Sequence, residues 1–333
     1  MKKVTLTIVV PVYAGEKYID PLVKKIKDLK VNLKSNDAPI ELIEAIFVLD
    51  GVIDNSYVLL KELNKKYDWI KLIVLSKNYG QHQASVAGIL YSSGDWIATI
   101  DEDLQHNPSF ILPMIATAVT ENNDIVYAVP IKSVHNSIAR DWSSKFFKYI
   151  LSILSSNKKI KLFNSFRIIR GVVARSAAAV GSAEMYYDIS LGWFTDSVST
   201  YQLDLIDARY QTSKVSGYNF KKLLDHSRRL FVSSQSNITR VLSFTGVFAM
   251  LIGVLFILFI FGNALFDRYS EVPGWASIAL LVLFFGGLIS LLIGVLLEYV
   301  AVIMSQSQGK PSFFVVDRWR DECLKDWAIK LLK

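Results

Sequence analysis

Trp96-Ile97-Ala98-Thr99-Ile100-Asp101-Glu102-Asp103-Leu104-Gln105-His106-Asn107-Pro108 is the stretch on which the fold turns. A short, mostly apolar strand runs straight into three acids. Two carboxylates two residues apart at a strand end suit a hard divalent cation, which takes oxygen ligands and keeps part of its shell for substrate phosphates. Open α/β sheets place their ligands at the carboxyl ends of strands. A solvated acidic loop is the plain reading of a lone Asp-x-Asp, so the flanking sequence has to decide between the two.

On the amino-terminal side of this stretch, strand-like runs recur at Val4–Val10, Ile40–Leu49 and Ile70–Leu75, and another follows at Ile125–Val129. Helical patterns fit between them at Tyr18–Leu33, Ser56–Lys66, His82–Ser93 and Ser109–Glu121. Continuously apolar strands alternating with helices predict a mostly parallel sheet covered on both faces, an α/β fold. No strand is followed by G-x-G-x-x-G or G-x-x-x-x-G-K-[ST], which excludes a dinucleotide fingerprint and a P-loop. Met1-Lys2-Lys3 with the run after it imitates a signal peptide. Pro11 ends that run early and no small-residue cleavage site follows, so it reads as a first strand.

The chain has 333 residues, of which 52% are hydrophobic, and a mean hydropathy of +0.32. The excess lies late in the sequence. Val241–Phe266 has no charged residue over 26 positions, and Val272–Met304 has only Glu298 over 33. At about 1.5 Å per residue, either segment as a helix exceeds the roughly 30 Å hydrocarbon core of a bilayer. The expectation is a two-helix membrane hairpin. Lys221, Lys222, Arg228, Arg229 and Arg240 precede it; Lys310, Arg318, Arg320, Lys325 and Lys330 follow it; the loop between offers only Arg268. Positive-inside bias then puts both termini in the cytoplasm and the short loop outside. The net charge of +7 suits anionic lipid, and no basic stripe suggests nucleic acid. The lone Cys323 excludes an intramolecular disulfide and a cysteine metal site. Asn237-Ile238-Thr239 matches the glycosylation sequon on the expected cytoplasmic side and is read as chance.

Residues 136–154 and 219–234 set Phe, Leu and Ile beside Lys and Arg at helical spacing, as helices lying in a membrane interface do. The expected organisation is a cytoplasmic domain over 1–218, an interfacial helix over 219–240, spans at 241–266 and 272–304, and a cytoplasmic tail over 305–333. Gly253, Gly286, Gly287 and Gly294 would allow close helix contact within the hairpin or in a homo-oligomer.

Four segments close strands one to four: Val9-Val10-Pro11-Val12-Tyr13, Phe47-Val48-Leu49-Asp50-Gly51, Asn78-Tyr79-Gly80-Gln81-His82 and Asp101-Glu102-Asp103-Leu104-Gln105-His106. Together with Asn164-Ser165-Phe166-Arg167, Lys214-Val215-Ser216-Gly217-Tyr218, Glu298-Tyr299 and Lys310-Pro311-Ser312-Phe313, they resemble the family 2 glycosyltransferases of GT-A fold. Within these the chain is similar to bacterial polyprenyl-phosphate glycosyltransferases and, more distantly, to dolichol-phosphate mannose synthase. The resemblance covers nearly the whole chain. It implies transfer of one sugar, inverting, from a nucleotide sugar (most nearly a UDP-sugar) to polyprenyl (undecaprenyl) phosphate, for cell-envelope glycans such as the O-antigen of lipopolysaccharide. By it, Pro11, Tyr13, Asp50 and Gly80 line the nucleotide pocket, with Asp50 accepting from the base. Asp101, Asp103 and Gln105 hold Mg²⁺ or Mn²⁺. Arg140, Arg167, Arg209 and Lys214 are the candidates for gripping the lipid phosphate, Arg140 and Arg167 acting in catalysis beside the two aspartates.

The chain departs from the family pattern at Leu49 and Val52 beside Asp50, at Pro130 after the fifth strand, and at Gln211 and Lys214. Those departures leave a catalytically inactive scaffold or flippase partner as an alternative. A processive polysaccharide synthase is the other, although Val315 stands where its Gln-x-x-Arg-Trp pattern would need Gln before Arg318-Trp319. His82 and His106 flank the crevice without metal-ligand spacing and read as structural or base-neighbouring residues.

Overall fold

The computed structural model describes residues 3–131, 162–181, 185–203, 274–309, 311–316 and 321–331, with positions 248, 251, 255 and 258. The strands are β1 (Val4–Val12), β2 (Ile40–Leu49), β3 (Ile70–Val74), β4 (Trp96–Thr99), β5 (Ile125–Pro130), β6 (Arg167–Arg170) and β7 (Val198–Leu203). They form one sheet in the order β3-β2-β1-β4-β6-β5-β7. β6 runs antiparallel to both neighbours, and every other pairing is parallel. The expected mostly parallel sheet is therefore present, with an antiparallel strand at its middle that the hydrophobic pattern had not indicated.

The helices of this region are α1 (Ile19–Ser35), α2 (Ser56–Lys66), α3 (Gln81–Leu90), α4 (Ile111–Thr120), α5 (Gly171–Val180) and α6 (Tyr187–Leu191). α1 is amphipathic: Ile19, Leu22, Val23, Ile26, Leu29 and Leu33 are buried at helical spacing. They meet Leu6, Ile8, Val10 and Val12 of β1 on one sheet face. Val9, Ile46, Val48 and Ile97 point to the other face, against Ala84, Ala87, Ala174 and Ala177 of α3 and α5. Each fully buried aliphatic side chain contributes roughly 1.5–3 kcal/mol, and burial of both sheet faces explains why β1 is apolar at nearly every position. α3 lies so close to β1 that a Cβ at Gly88 would sit 2.3 Å from Val9 Cγ1.

Pro11 does not end β1, which continues to Val12. Val9 accepts from Ile100 N–H on the β4 side and Val12 from Asp50 N–H on the β2 side. Alternation then turns the Pro11 nitrogen toward β4, whose pairing has already stopped at Val9↔Thr99, so the missing N–H interrupts nothing.

Beyond this domain lie α7 (Trp275–Ser307) and α8 (Asp321–Leu331). Within α7, Phe284–Ala301 is long and apolar enough to cross a membrane, and none of its described residues is buried. It coincides with the second expected span. Of the first, Phe248, Leu251, Leu255 and Leu258 are described; all four are helical and exposed. Among the described residues one helix is long and apolar enough to be a candidate span. Residues 136–154 and 219–234, both expected to lie at the membrane interface, fall outside the described residues.

Candidate active site

The carboxyl ends of β1 to β4 bring their loops into one crevice. After β2 the chain turns at Gly51, whose φ of +60° favours glycine and whose Cβ would lie 2.6 Å from Asn78 N. That close approach sets the β2 loop against the β3 loop. Asp50, 3% exposed, accepts from Tyr79 N–H at 2.6 Å and Gly80 N–H at 2.8 Å. Burial pushes its carboxyl above the ordinary range, and the two amides offset this only in part. The structure therefore places Asp50 in the crevice with both oxygens engaged by the β3 loop. Pro11 is buried beside it at the end of β1, while the Tyr13 side chain is 42% exposed at the rim.

Asp101 and Asp103 follow β4. Asp101 Oδ1 accepts from Gln81 Nε2 at 2.6 Å, and Oδ2 accepts from Ser165 Oγ at 2.9 Å. Buried His106 turns back so that its Nδ1 accepts from Asp101 N–H at 3.0 Å, and its ring is stacked on Phe166. Asp103 accepts from Gln105 N–H at 3.3 Å and from Gln105 Nε2 at 3.0 Å across a turn in which Leu104 has a φ of +65°. The donor chemistry fits a hard cation: two carboxylates and an amide oxygen, all oxygen ligands from one turn. Among the described residues no group of three or more His, Cys, Asp or Glu gathers.

Glu102, between the two aspartates, escapes motif reading because it occupies the x of Asp-x-Asp. Its carboxylate accepts from Tyr13 N–H at 3.0 Å and Ala14 N–H at 3.3 Å. The next two amides of that loop are also capped: Gly15 N–H donates to Ser56 Oγ at 3.1 Å and Glu16 N–H to Asp54 Oδ2 at 3.0 Å. Glu102 thus ties the loop bearing Tyr13 to the loop bearing both aspartates. Gln81 and Ser165 are further contributors that local sequence could not reveal, since they lie 20 and 64 residues from Asp101.

Arg167 is one of the residues expected to grip the lipid phosphate. It lies on β6, 2% exposed, ion-paired to Asp188 and stacked over the Tyr187 ring at 4.9 Å. Tyr127 Oη donates to the same Asp188 oxygen at 2.7 Å. Burial works against the guanidinium charge, and the Asp188 carboxylate together with Tyr127 and Tyr187 outweighs it, so the net shift is upward. A guanidinium so enclosed organises the core beneath α6 and is not presented at the crevice. Arg140, Arg209 and Lys214 lie outside the described residues.

The chain is 26% identical over 316 residues to the uncharacterized glycosyltransferase YkcC of Bacillus subtilis, covering 94% of both chains. It is 25% identical over 312 residues to undecaprenyl-phosphate 4-deoxy-4-formamido-L-arabinose transferase of Proteus mirabilis, covering 93% of this chain and 92% of that one. Among solved structures, glucosyl-3-phosphoglycerate synthase from Mycobacterium tuberculosis, in complex with Mn²⁺, UDP-glucose and phosphoglyceric acid, matches at 15% identity and a TM-score of 0.46, covering 71% of this chain and 80% of that one. The model of glycosyl transferase family 2 matches residues 7–179, more than half of the chain, from β1 to the end of α5. That span contains the four crevice loops and both aspartates after β4, and the chain belongs to glycosyl transferase family 2.

Proposed function

We propose that this transferase moves a single sugar, with inversion, from a nucleotide sugar to polyprenyl phosphate at the cytoplasmic face of a membrane. The observation that carries the reading is the convergence of Asp101, Asp103 and Asp50 at the carboxyl ends of β4 and β2, in a chain that also bears the long apolar helix α7. Full-length relatives named as undecaprenyl-phosphate sugar transferases support the acceptor. A UDP-sugar is the donor proposed first, from the family resemblance.

Asp101 and Asp103, with Gln105, would hold Mg²⁺ or Mn²⁺. Such an ion supplies Lewis-acid stabilisation of the charge that builds as a nucleoside diphosphate departs. Tyr13, with its exposed ring, and Pro11 would flank the base. Asp50, Gly80 and Gln81 act together: Asp50 fixes the loop, and Gln81 orients Asp101. A phosphate acceptor is already ionised at neutral pH, so little general-base help is required, and positioning and electrostatics carry most of the rate. Arg140, with Arg209 or Lys214, is proposed to grip that phosphate; a fork of Arg donors matches it well. The membrane hairpin at 241–266 and 272–304, the interfacial helix at 219–240, cytoplasmic termini and homo-oligomerisation through small residues belong to the same proposal.

The test uses purified full-length protein in detergent with undecaprenyl phosphate, Mn²⁺ or Mg²⁺, and radiolabelled UDP-, GDP- and dTDP-sugars. Label from one donor should pass into the organic phase and stop doing so with EDTA. No transfer from any donor, with metal-dependent nucleotide binding retained, would turn the reading toward a chain that needs a partner. Absence of both transfer and binding would leave the scaffold reading.

A further inference from the structure

We infer that the segment leaving α7, residues 311–316, is part of the nucleotide site: it holds the β3 loop where Tyr79 and Gly80 grip Asp50 and Gln81 reaches Asp101. The inference rests on the nucleotide-sugar reading above.

β3 is the edge strand of the sheet, and an unpaired edge is a liability that proteins cover. Here the cover comes from the far side of the candidate membrane helix. Val315 bridges antiparallel to Leu75; Val316 N–H donates to Val74 O at 2.8 Å, and Ser76 N–H donates to Phe314 O at 2.9 Å. On its inner side Leu75 N–H donates to Leu49 O at 2.9 Å. The chain is thus tied on both flanks where β3 becomes a loop.

From that point a series of contacts leads into the crevice. Ser76 Oγ and Tyr79 Oη share a hydrogen bond at 3.0 Å. Phe313, Val315 and Tyr79 are partly buried against the cluster that contains Ile73, Leu75 and Val86. Tyr79 and Gly80 donate to Asp50, and Gln81, the first residue of α3, donates to Asp101. Gly80 precedes α3 at a φ of +93°, and Gln81 follows it directly as the first residue of the helix, so the loop and Gln81 are neighbours along the chain. α7 ends at Ser307. The strap begins four residues later, a reach of at most about 14 Å. The end of the apolar helix is therefore linked to both carboxylates through a short chain of hydrogen bonds and packed side chains. A merely covered edge would need the strap on β3 alone, whereas its backbone contacts fall on Val74 at the strand's end and on Leu75 and Ser76, where the strand becomes the loop.

The experiment measures UDP affinity with Mn²⁺, together with hydrogen exchange over residues 74–80, on full-length protein in detergent. Val316→Pro removes the N–H given to Val74. It should speed exchange over 74–80 and weaken UDP binding about tenfold, the scale of one lost hydrogen bond, while leaving the apparent KM for the lipid acceptor unchanged. Freed exchange with wild-type UDP affinity overturns the inference, because the strap would then only cover an edge. Should Val316→Pro fail to fold, Phe313→Ser loosens the same strap through its packing and is read in the same way. If the unaltered protein binds no UDP, GDP or dTDP with either metal, the reading of function fails and the inference falls with it, an outcome visible before any variant is made.

Discussion

At the carboxyl ends of the strands, Asp50 and Glu102 accept from backbone amides and Asp101 from Gln81 and Ser165; toward the amino ends, Glu44 is ion-paired with Lys71 and Asp124 with Arg170. Neutral donors fix a carboxylate's position and leave its negative charge in place, which is what a cation-binding crevice requires. Cationic partners cancel the charge and leave a structural strut. Glu44 shows the second case fully: besides Lys71 it accepts from Thr7 Oγ1 at 2.8 Å and from Ser93 N–H and Oγ, each at 2.7 Å. These bonds hold together β1, β2 and the turn before β4, on the side away from the crevice.

Three substitutions would break or sharpen that contrast. Asp103→Asn keeps the shape and removes a charge; it should lower kcat by about a thousandfold or more with Tm little changed. Near-normal turnover would remove Asp103 from the metal site. Glu102→Ala leaves the Tyr13 and Ala14 amides without their acceptor. Orphaned donors cost about 1–3 kcal/mol, so nucleotide affinity should fall about thirtyfold in a titration with UDP and Mn²⁺. A pure loss of Tm with affinity intact would make Glu102 a strut like Glu44. The smallest effect is expected at Glu44→Gln: about 1 kcal/mol of stability at neutral pH and no change in nucleotide affinity. Burial pushes the Glu44 carboxyl up, but Lys71, Ser93 and Thr7 outweigh it and hold it below the ordinary range. Its contribution is thus present above the usual carboxyl range and lost as pH falls through the lower folded-state value. The Tm gap between wild type and variant should close on acidification; a gap that widens would contradict the assignment.

Much of the crevice was legible in the sequence because its signals are local. β2 and α2 have the bounds that periodicity predicts, and the others shift by a few residues at their ends. Asp101 and Asp103 stand out as the carboxylates that follow an apolar run, whereas Asp50 and Gly80 were named through the family resemblance. β6 was not legible: Arg167-Ile168-Ile169-Arg170 is four residues long and charged at both ends, too short for a period to emerge. The Arg167–Asp188 pair was not legible either, since the two lie 21 residues apart on separate elements.

Sequence alone determined the alternation of strands and helices, the burial of both sheet faces, the carboxylates at the strand ends and the apolar length of α7. Each is written within a window of neighbouring residues, where side-chain period and strand termination act directly. Only the tertiary structure decided what holds those carboxylates: Glu102 on amides 88 and 89 residues away, Asp50 on a loop 29 and 30 residues on, and the strap at residues 311–316 on the edge of β3. A hydrogen bond between distant residues depends on which surfaces the core brings together, and one-dimensional spacing carries no record of that.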